Sequence, residues 1–282
     1  MTARKNGYIF NSNFLRFIRM WKKLLLTLSS FLILTACNSH DDKNTLKIGT
    51  ISGPETELLE VAKQVAQDKY HLTLKVIEFT DYTQPNTALN DGSIDANMFQ
   101  HQPYLDQQIK DRHYAQIAIG KTFIYPMGIY SRKIKTLAEV PMQALFAIPN
   151  DPSNEGRALL LLQKAGLIQL KSSAGLYATP NDIQSNPKQI KFTELDAAQL
   201  ARSLPDVTAA VINTNYAVPA GLSPTKDAIF HEGKDSPYAN IIVIRADEQN
   251  DPRMKQLVAV LQSAEVAEAA KKIFNDQAIP AW

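Results

Sequence analysis

The chain has 282 residues, with 30 Lys or Arg, 28 Asp or Glu and a single cysteine, Cys37. Six of the cations (Arg4, Lys5, Arg16, Arg19, Lys22, Lys23) fall in residues 1–36 with no acid, which leaves 24 Lys or Arg against 28 Asp or Glu, a formal charge of −4. A basic nucleic-acid-binding surface is thereby excluded, and the lone thiol excludes a disulfide framework, a thiolate metal site and a CxxC redox pair.

Residues 1–36 read as a signal peptide: a basic start, then an apolar run from Leu24 to Leu34. That run is about half the ~20 residues needed to span a bilayer as a helix. Met1 and Met20 are both possible starts, since Met20-Trp21-Lys22-Lys23 makes a compact basic beginning by itself. Leu34-Thr35-Ala36-Cys37 resembles the bacterial lipobox, which implies cleavage before Cys37 and a lipid on its thiol. Residues 37–45 are polar and aperiodic, as a lipidated tether should be.

Beyond the tether, Leu46 to Ile51 reads as a buried strand, and Ser52-Gly53-Pro54-Glu55 opens a helix with proline and acid in its first turn. Leu58, Leu59, Ala62, Val65 and Ala66 recur at helical spacing along it. Leu72 to Phe79 and Ile94 to Phe99 read as strands, and Tyr104 to Arg112 as a short helix. The alternation predicts an α/β sheet with parallel strands. After Pro126 a second set begins: strands at Met127 to Tyr130 and Ala144 to Pro149, then a helix from Asp151-Pro152-Ser153 to a C-cap at Gly166. Strands at Ile190 to Leu195 and Val207 to Ile212 surround a helix near Ala197 to Ser203. Tyr238 to Arg245 is a further apolar strand, followed by helices at Pro252 to Gln262 and Ala264 to Phe274.

The expected organisation is one discontinuous lobe, residues 46–126 with 239–282, around a second lobe at 127–238. The terminal helices need a sheet to cover, and the middle unit already has its own. An exported, lipid-tethered pair of α/β lobes matches the architecture of a periplasmic binding protein, which closes around a ligand held in the cleft between lobes.

Several longer stretches carry a specific resemblance. Glu78-Phe79-Thr80-Asp81-Tyr82, Gln84-Pro85-Asn86, Asp95 to Leu105, Ile148 to Asn154 with Gly156-Arg157, Val211-Ile212-Asn213-Thr214 and Lys234 to Asn240 together resemble the NlpA/MetQ family of methionine-binding lipoproteins. The resemblance spans the whole mature domain. It implies a type II periplasmic-binding-protein fold and capture of methionine, of either hand, on the periplasmic side of the envelope. It also implies delivery to an inner-membrane ABC permease and its ATPase by a monomer that is not an enzyme and needs no cofactor.

A free amino acid presents a carboxylate, an ammonium and a tail, each needing its own kind of partner. Arg157, near the start of the helix after Asp151, is the expected fork for the carboxylate; its other reading is an ion pair with an acid such as Glu155. Asn213 and Asn240, at strand ends, offer donor and acceptor to the remaining polar atoms, with Asn215 ranked below them; strand-end Asn also forms turns. Tyr82, Phe99, His101 and Tyr104 form the expected slot for a thioether tail. On an extended segment Phe99 and His101 face the same way. Each aromatic is also an ordinary core residue.

The rival classes are an exported α/β hydrolase and a surface adhesin. Gly49-Thr50-Ile51-Ser52-Gly53 sets its serine one place late for a nucleophile elbow. The sequence has neither HExxH nor a P-loop, and His40, His71, His101, His113 and His231 have no metal-ligand spacing. A triad of His101, Asp95 and a serine would be the hydrolase's remaining route. The residue after Cys37 is Asn38 and not aspartate, which leans toward the outer membrane and leaves the choice of membrane open.

Overall fold

The computed structural model describes residues 44–233 and 236–282. The signal peptide, the lipidation site Cys37, most of the tether and Lys234-Asp235 lie outside the described residues. Thr45, at the end of the expected tether, already belongs to the first strand.

The chain begins β1 (Thr45–Ile51), α1 (Pro54–Tyr70), β2 (Thr73–Phe79), α2 (Pro85–Asn90), β3 (Ala96–His101), α3 (Gln102–Arg112) and β4 (Gln116–Ile124). A second set follows: β5 (Gly128–Tyr130), β6 (Leu145–Pro149), α4 (Pro152–Lys164), β7 (Gln169–Leu170) and β8 (Ile183–Ser185). It continues with β9 (Lys191–Leu195), α5 (Leu200–Ser203), β10 (Ala209–Ile212), α6 (Thr214–Ala217) and β11 (Ala228–His231). The chain closes with β12 (Ala239–Arg245), α7 (Pro252–Leu261), α8 (Ala264–Ile273) and β13 (Ile279–Pro280).

The strands form a six-stranded sheet, β13-β4-β12-β3-β1-β2, and a five-stranded sheet, β11-β5-β10-β6-β9, with β7 and β8 as a separate ribbon. The result is a two-lobed α/β fold, but neither large sheet is parallel throughout. β1 pairs parallel with β2 and β3, whereas β12 runs antiparallel between β3 and β4. The expectation of parallel strands fails at β12, which re-enters the first sheet from the other lobe and needs no crossover helix beside it. It fails also at β5, which pairs antiparallel with β10 and β11.

Pro54 and the acids Glu55 and Glu57 start α1, and His71, at φ 52°, ends it in the left-handed conformation. Its apolar stripe packs with Leu257, Leu261, Val266 and Ala270 of the terminal helices into the core of the first sheet. α4 is capped by Asp151, whose carboxylate accepts the Asn154 N–H at 2.9 Å. Gly156 lets α4 press against the following loop, since a Cβ there would lie 2.1 Å from the Leu176 carbonyl oxygen. A third apolar cluster joins the two sets of elements, with Ile51, Tyr82, Phe99 and Tyr104 packed with Tyr130, Leu200 and Ile212.

The chain crosses between the sheets after β4 and again after β11, and hydrogen bonds tie the two crossings together. The Glu232 N–H donates to the Met127 carbonyl at 2.9 Å, and the Met127 N–H donates to Glu232 Oε2 at 3.0 Å. Thr214 Oγ1 donates to the Pro126 carbonyl at 2.6 Å.

Candidate ligand-binding cleft

All seven expected binding residues, Tyr82, Phe99, His101, Tyr104, Arg157, Asn213 and Asn240, line one cavity of about 330 Å³, its mouth included. Gln100, Tyr125, Asn154, Thr214 and Asn215 complete its wall.

One end is aromatic. Tyr82, which follows β2, lies 5.8 Å from Phe99 and 6.0 Å from Tyr104 between ring centroids, and Phe99 and Tyr104 meet edge-on at 5.8 Å. The Tyr104 hydroxyl donates to the Tyr82 carbonyl at 2.7 Å, so these rings are fixed against each other. Tyr82 also meets the Tyr216 ring at 5.0 Å, tilted by 51°, and Tyr216 lines a broader groove outside the cavity. Phe99 and His101 both reach the cavity, but so does Gln100 between them. The reason is a bulge: β12 pairs Ile241 with Gln100 and Ile242 with Met98, leaving Phe99 without an opposite number. Gln100 is then held by Asn86 and Asn97 in a buried amide cluster beneath the wall.

The other end is polar. His101 caps α3: its Nδ1 accepts the Tyr104 N–H at 3.3 Å, which leaves Nε2 as the protonated nitrogen, 3.3 Å from Asn154 Oδ1. Burial first, and the Arg157 charge second, push the His101 pKa down to about 3, so the ring is neutral near neutral pH. Asn154 Oδ1 also accepts from Asn213 Nδ2 at 2.8 Å, while Asn154 Nδ2 donates to both oxygens of Asp151. Asp151 thus orients Asn154, which orients both His101 and Asn213. Asn213 Oδ1 and the Tyr125 hydroxyl are buried with no hydrogen-bond partner among the described residues.

Arg157 sits in the second turn of α4 and is already paired, though not with Glu155. Its Nε donates to Glu232 Oε1 at 2.8 Å, and its Nη2 donates to Glu232 Oε2 at 2.5 Å and to the Tyr125 carbonyl at 3.0 Å. The expectation of a two-nitrogen fork onto a ligand is corrected by this pairing. Only Nη1 carries no hydrogen bond among the described residues, so a ligand carboxylate would be met by one nitrogen. The guanidinium lies 4.5 Å above the Tyr238 ring. Glu232 and Tyr238 belong to the second crossing, and no local pattern in the sequence marks Glu232 as this partner.

A second acid was missed altogether. Glu55, expected only as a first-turn acid of α1, is 1% exposed and accepts from Asn240 Nδ2 at 3.0 Å and Asn215 Nδ2 at 2.5 Å. Burial pushes its pKa up to about 8 against the lowering effect of those two amides. Asn215, ranked below Asn213 from sequence, lines the cavity as fully as Asn213 does.

The Asp95–His101 pairing of a hydrolase triad is not formed. Asp95 Oδ2 accepts the Lys47 N–H at 2.7 Å and its Oδ1 lies 3.7 Å from Arg245, while His101 faces Asn154. Among the described residues there is no group of three His, Cys, Asp or Glu that could hold a metal, and no helix long and apolar enough to cross a membrane.

Comparison with known proteins bears on the family of the chain. The family model of the NlpA lipoproteins matches residues 46–282. The D-methionine-binding lipoprotein MetQ of Salmonella typhimurium is 52% identical over 254 residues, 89% of this chain and 94% of that protein. An ABC transporter periplasmic substrate-binding protein from Coxiella burnetii superposes with a TM-score of 0.82 at 61% identity, over 84% of this chain and 100% of that one. A nutrient-binding protein from Burkholderia cenocepacia, solved bound to methionine, has a TM-score of 0.82 at 54% identity, over 84% of this chain and 100% of that one.

Proposed function

This chain belongs to the NlpA lipoprotein family, and from that premise and the geometry of its cleft we propose that it captures free methionine and delivers it to an ABC importer. The observation that carries the reading is the pairing of opposites in one cavity. A slot of three rings stands at one end, and at the other a guanidinium nitrogen and a buried amide oxygen stand unpaired among the described residues. An apolar, polarisable tail and a zwitterionic head satisfy both ends together. The thioether gains ~0.3 to 1.5 kcal/mol per ring contact beyond burial. The carboxylate takes Arg157 Nη1, with His101 beside it. The ammonium takes the amide oxygens near Asn240.

The lobes assigned to this role are residues 46–126 with 239–282 and residues 127–238, closing on the ligand as a monomer. The protein is a carrier and not an enzyme. Its partners are methionine, an inner-membrane permease and the permease's ATPase, and it works on the periplasmic side of the envelope, held by lipid on Cys37.

A panel of amino acids added to the purified mature protein tests the function. Methionine at ~100 times its dissociation constant should stabilise by ~2.7 kcal/mol and raise the melting temperature by roughly 5 to 10 °C. Leucine should do far less. Equal shifts by all aliphatic amino acids, or none by either hand of methionine, would contradict the reading.

The slot has its own test. Tyr82→Ala and Phe99→Ala enlarge the tail end and leave the carboxylate partners in place, so the preference for methionine over norleucine should shrink in calorimetry. An unchanged preference would take these rings out of the tail slot. For the anchor, radiolabelled palmitate should mark the wild type and not Cys37→Ser; equal labelling would remove Cys37 from that role.

A further inference from the structure

The charges of the cleft do not balance within the protein. Arg157 is matched by Glu232 at 2.5 Å, whereas Glu55, equally buried, has no cationic partner among the described residues. Resting on the methionine reading, we propose that Glu55 is the counter-charge of the ligand's ammonium, a positioning residue that aims the Asn215 and Asn240 amide oxygens into the cleft and releases a proton as the ligand is captured.

The geometry ties Glu55 to both lobes. It and Asn240 belong to the elements of the first sheet, while Asn215 belongs to α6 in the second set. Each Asn donates its Nδ2 to one carboxylate oxygen, so the atom each has left for the cavity it lines is its Oδ1, which accepts no hydrogen bond among the described residues. With Asn213 Oδ1, buried and unpaired, that makes three acceptors for the three N–H groups of an ammonium.

Protonation of Glu55 would break the pattern. A carboxylic acid has one O–H to donate, and one of the two amides would have to turn its oxygen toward Glu55 and its NH2 toward the cleft. A donor would then face a donor. The ionisation of Glu55, the orientation of the two amides and the charge of the ligand therefore change together.

The ionisable groups facing Glu55 are phenols: Tyr82 after β2, Tyr125 on the first crossing and Tyr216 on α6, all pushed up by burial and neutral. The Arg157–Glu232 pair borders the same cavity from α4 and the second crossing. Both Glu55 oxygens accept from amides here, which is the arrangement of the carboxylate, while burial raises the group to about 8 and so favours, in an empty cleft near neutral pH, the protonated acid with one amide turned. A desolvated ammonium beside it favours the carboxylate, and the proton leaves to the buffer.

The test is calorimetric titration of the wild-type mature protein with methionine at about pH 7, in buffers of different ionisation enthalpy. The expected result is release approaching one proton per methionine, falling through zero to partial uptake by about pH 9, where Glu55 is already ionised and part of the free methionine must regain its ammonium proton to bind. The desamino analogue 4-(methylthio)butanoate should bind without that release. Glu55→Gln should abolish the release and weaken methionine by about tenfold or more. Methionine binding with no buffer dependence near neutral pH, or the same release from the desamino analogue or from Glu55→Gln, would overturn the role of Glu55 while leaving methionine capture intact. Failure of the wild type to bind methionine at any pH would remove the functional reading and this inference with it.

Discussion

Arg157→Ala is expected to weaken methionine by roughly 30-fold to several thousandfold, the ~2 to 5 kcal/mol that follows removal of one partner from a buried charged pair. Norleucine should weaken by the same factor, because Arg157 is placed to meet the carboxylate and not the tail. The structure adds a second consequence. Among the described residues, Glu232 would be left buried with only Ser236 Oγ and the Met127 N–H as partners, at 3.3 and 3.0 Å. Stranding an acid in this way costs ~3 to 5 kcal/mol of folding stability. Binding must therefore be measured on folded protein by titration, and stability separately by denaturant. Arg157→Ala together with Glu232→Gln should recover much of the stability and none of the affinity. A loss of affinity below about threefold, under 1 kcal/mol, would take Arg157 out of the site.

Raising the pH should destabilise the ligand-free protein in a window set by Glu55. Its pKa in the fold, about 8, lies above its ordinary value of 4.5, so the folded state holds the proton more tightly than the unfolded chain. The stability this confers is complete below about 4.5 and is lost as pH rises to about 8. Across the whole interval the upper bound is ~5 kcal/mol, from ~1.4 kcal/mol per pH unit. His101 works the other way: pushed down from 6.5 to about 3, it costs stability as pH falls below 6.5. Between 6.5 and 8 the Glu55 effect is therefore the dominant one. Glu155, raised to about 7 by burial and by Glu194 and Asp151, adds a smaller effect of the same sign. Melting temperatures of the ligand-free wild type should fall across that window, and Glu55→Gln should flatten most of the slope. A wild-type slope retained in full by Glu55→Gln would show that another group carries it. The same substitution is expected to weaken methionine, so stability without ligand and affinity for ligand pull in opposite directions at Glu55.

Much of the scaffold is legible in the chain because its signals are strong and local. α1 has proline and acids at its start and an uninterrupted apolar stripe, and α4 has Asp151-Pro152 to begin it and Gly166 at φ +74° to end it. β4 carries no clear strand signal in the sequence, because Gly120 and Lys121 interrupt its apolar pattern. Gly120 is explained only by the fold: a Cβ there would lie 3.1 Å from Val258 of α7. The direction of β12 is not legible in the chain, because strand direction is set by where the chain comes from, which periodicity does not record.

The cleft divides in the same way. Its seven expected residues are carried by long motifs and converge on one cavity. What escaped notice are partners brought in from afar. Glu232 lies 75 residues from Arg157, and Glu55 lies 160 and 185 residues from the two amides it orients. Asn154 stood inside a recognised motif, yet its role as the link from Asp151 to His101 and Asn213 depends on a contact spanning 53 residues. The bulge that exposes Gln100 beside Phe99 likewise arises from pairing with β12 and leaves no local mark.

Capture of free methionine by this cleft is tested most directly by equilibrium dialysis of the mature protein, unfolded to strip any carried ligand and refolded, against radiolabelled methionine. One methionine retained per chain, displaced by excess unlabelled methionine and not by leucine, is the expected result. A folded protein that retains no label, or one whose label leucine displaces as readily as methionine does, would contradict it.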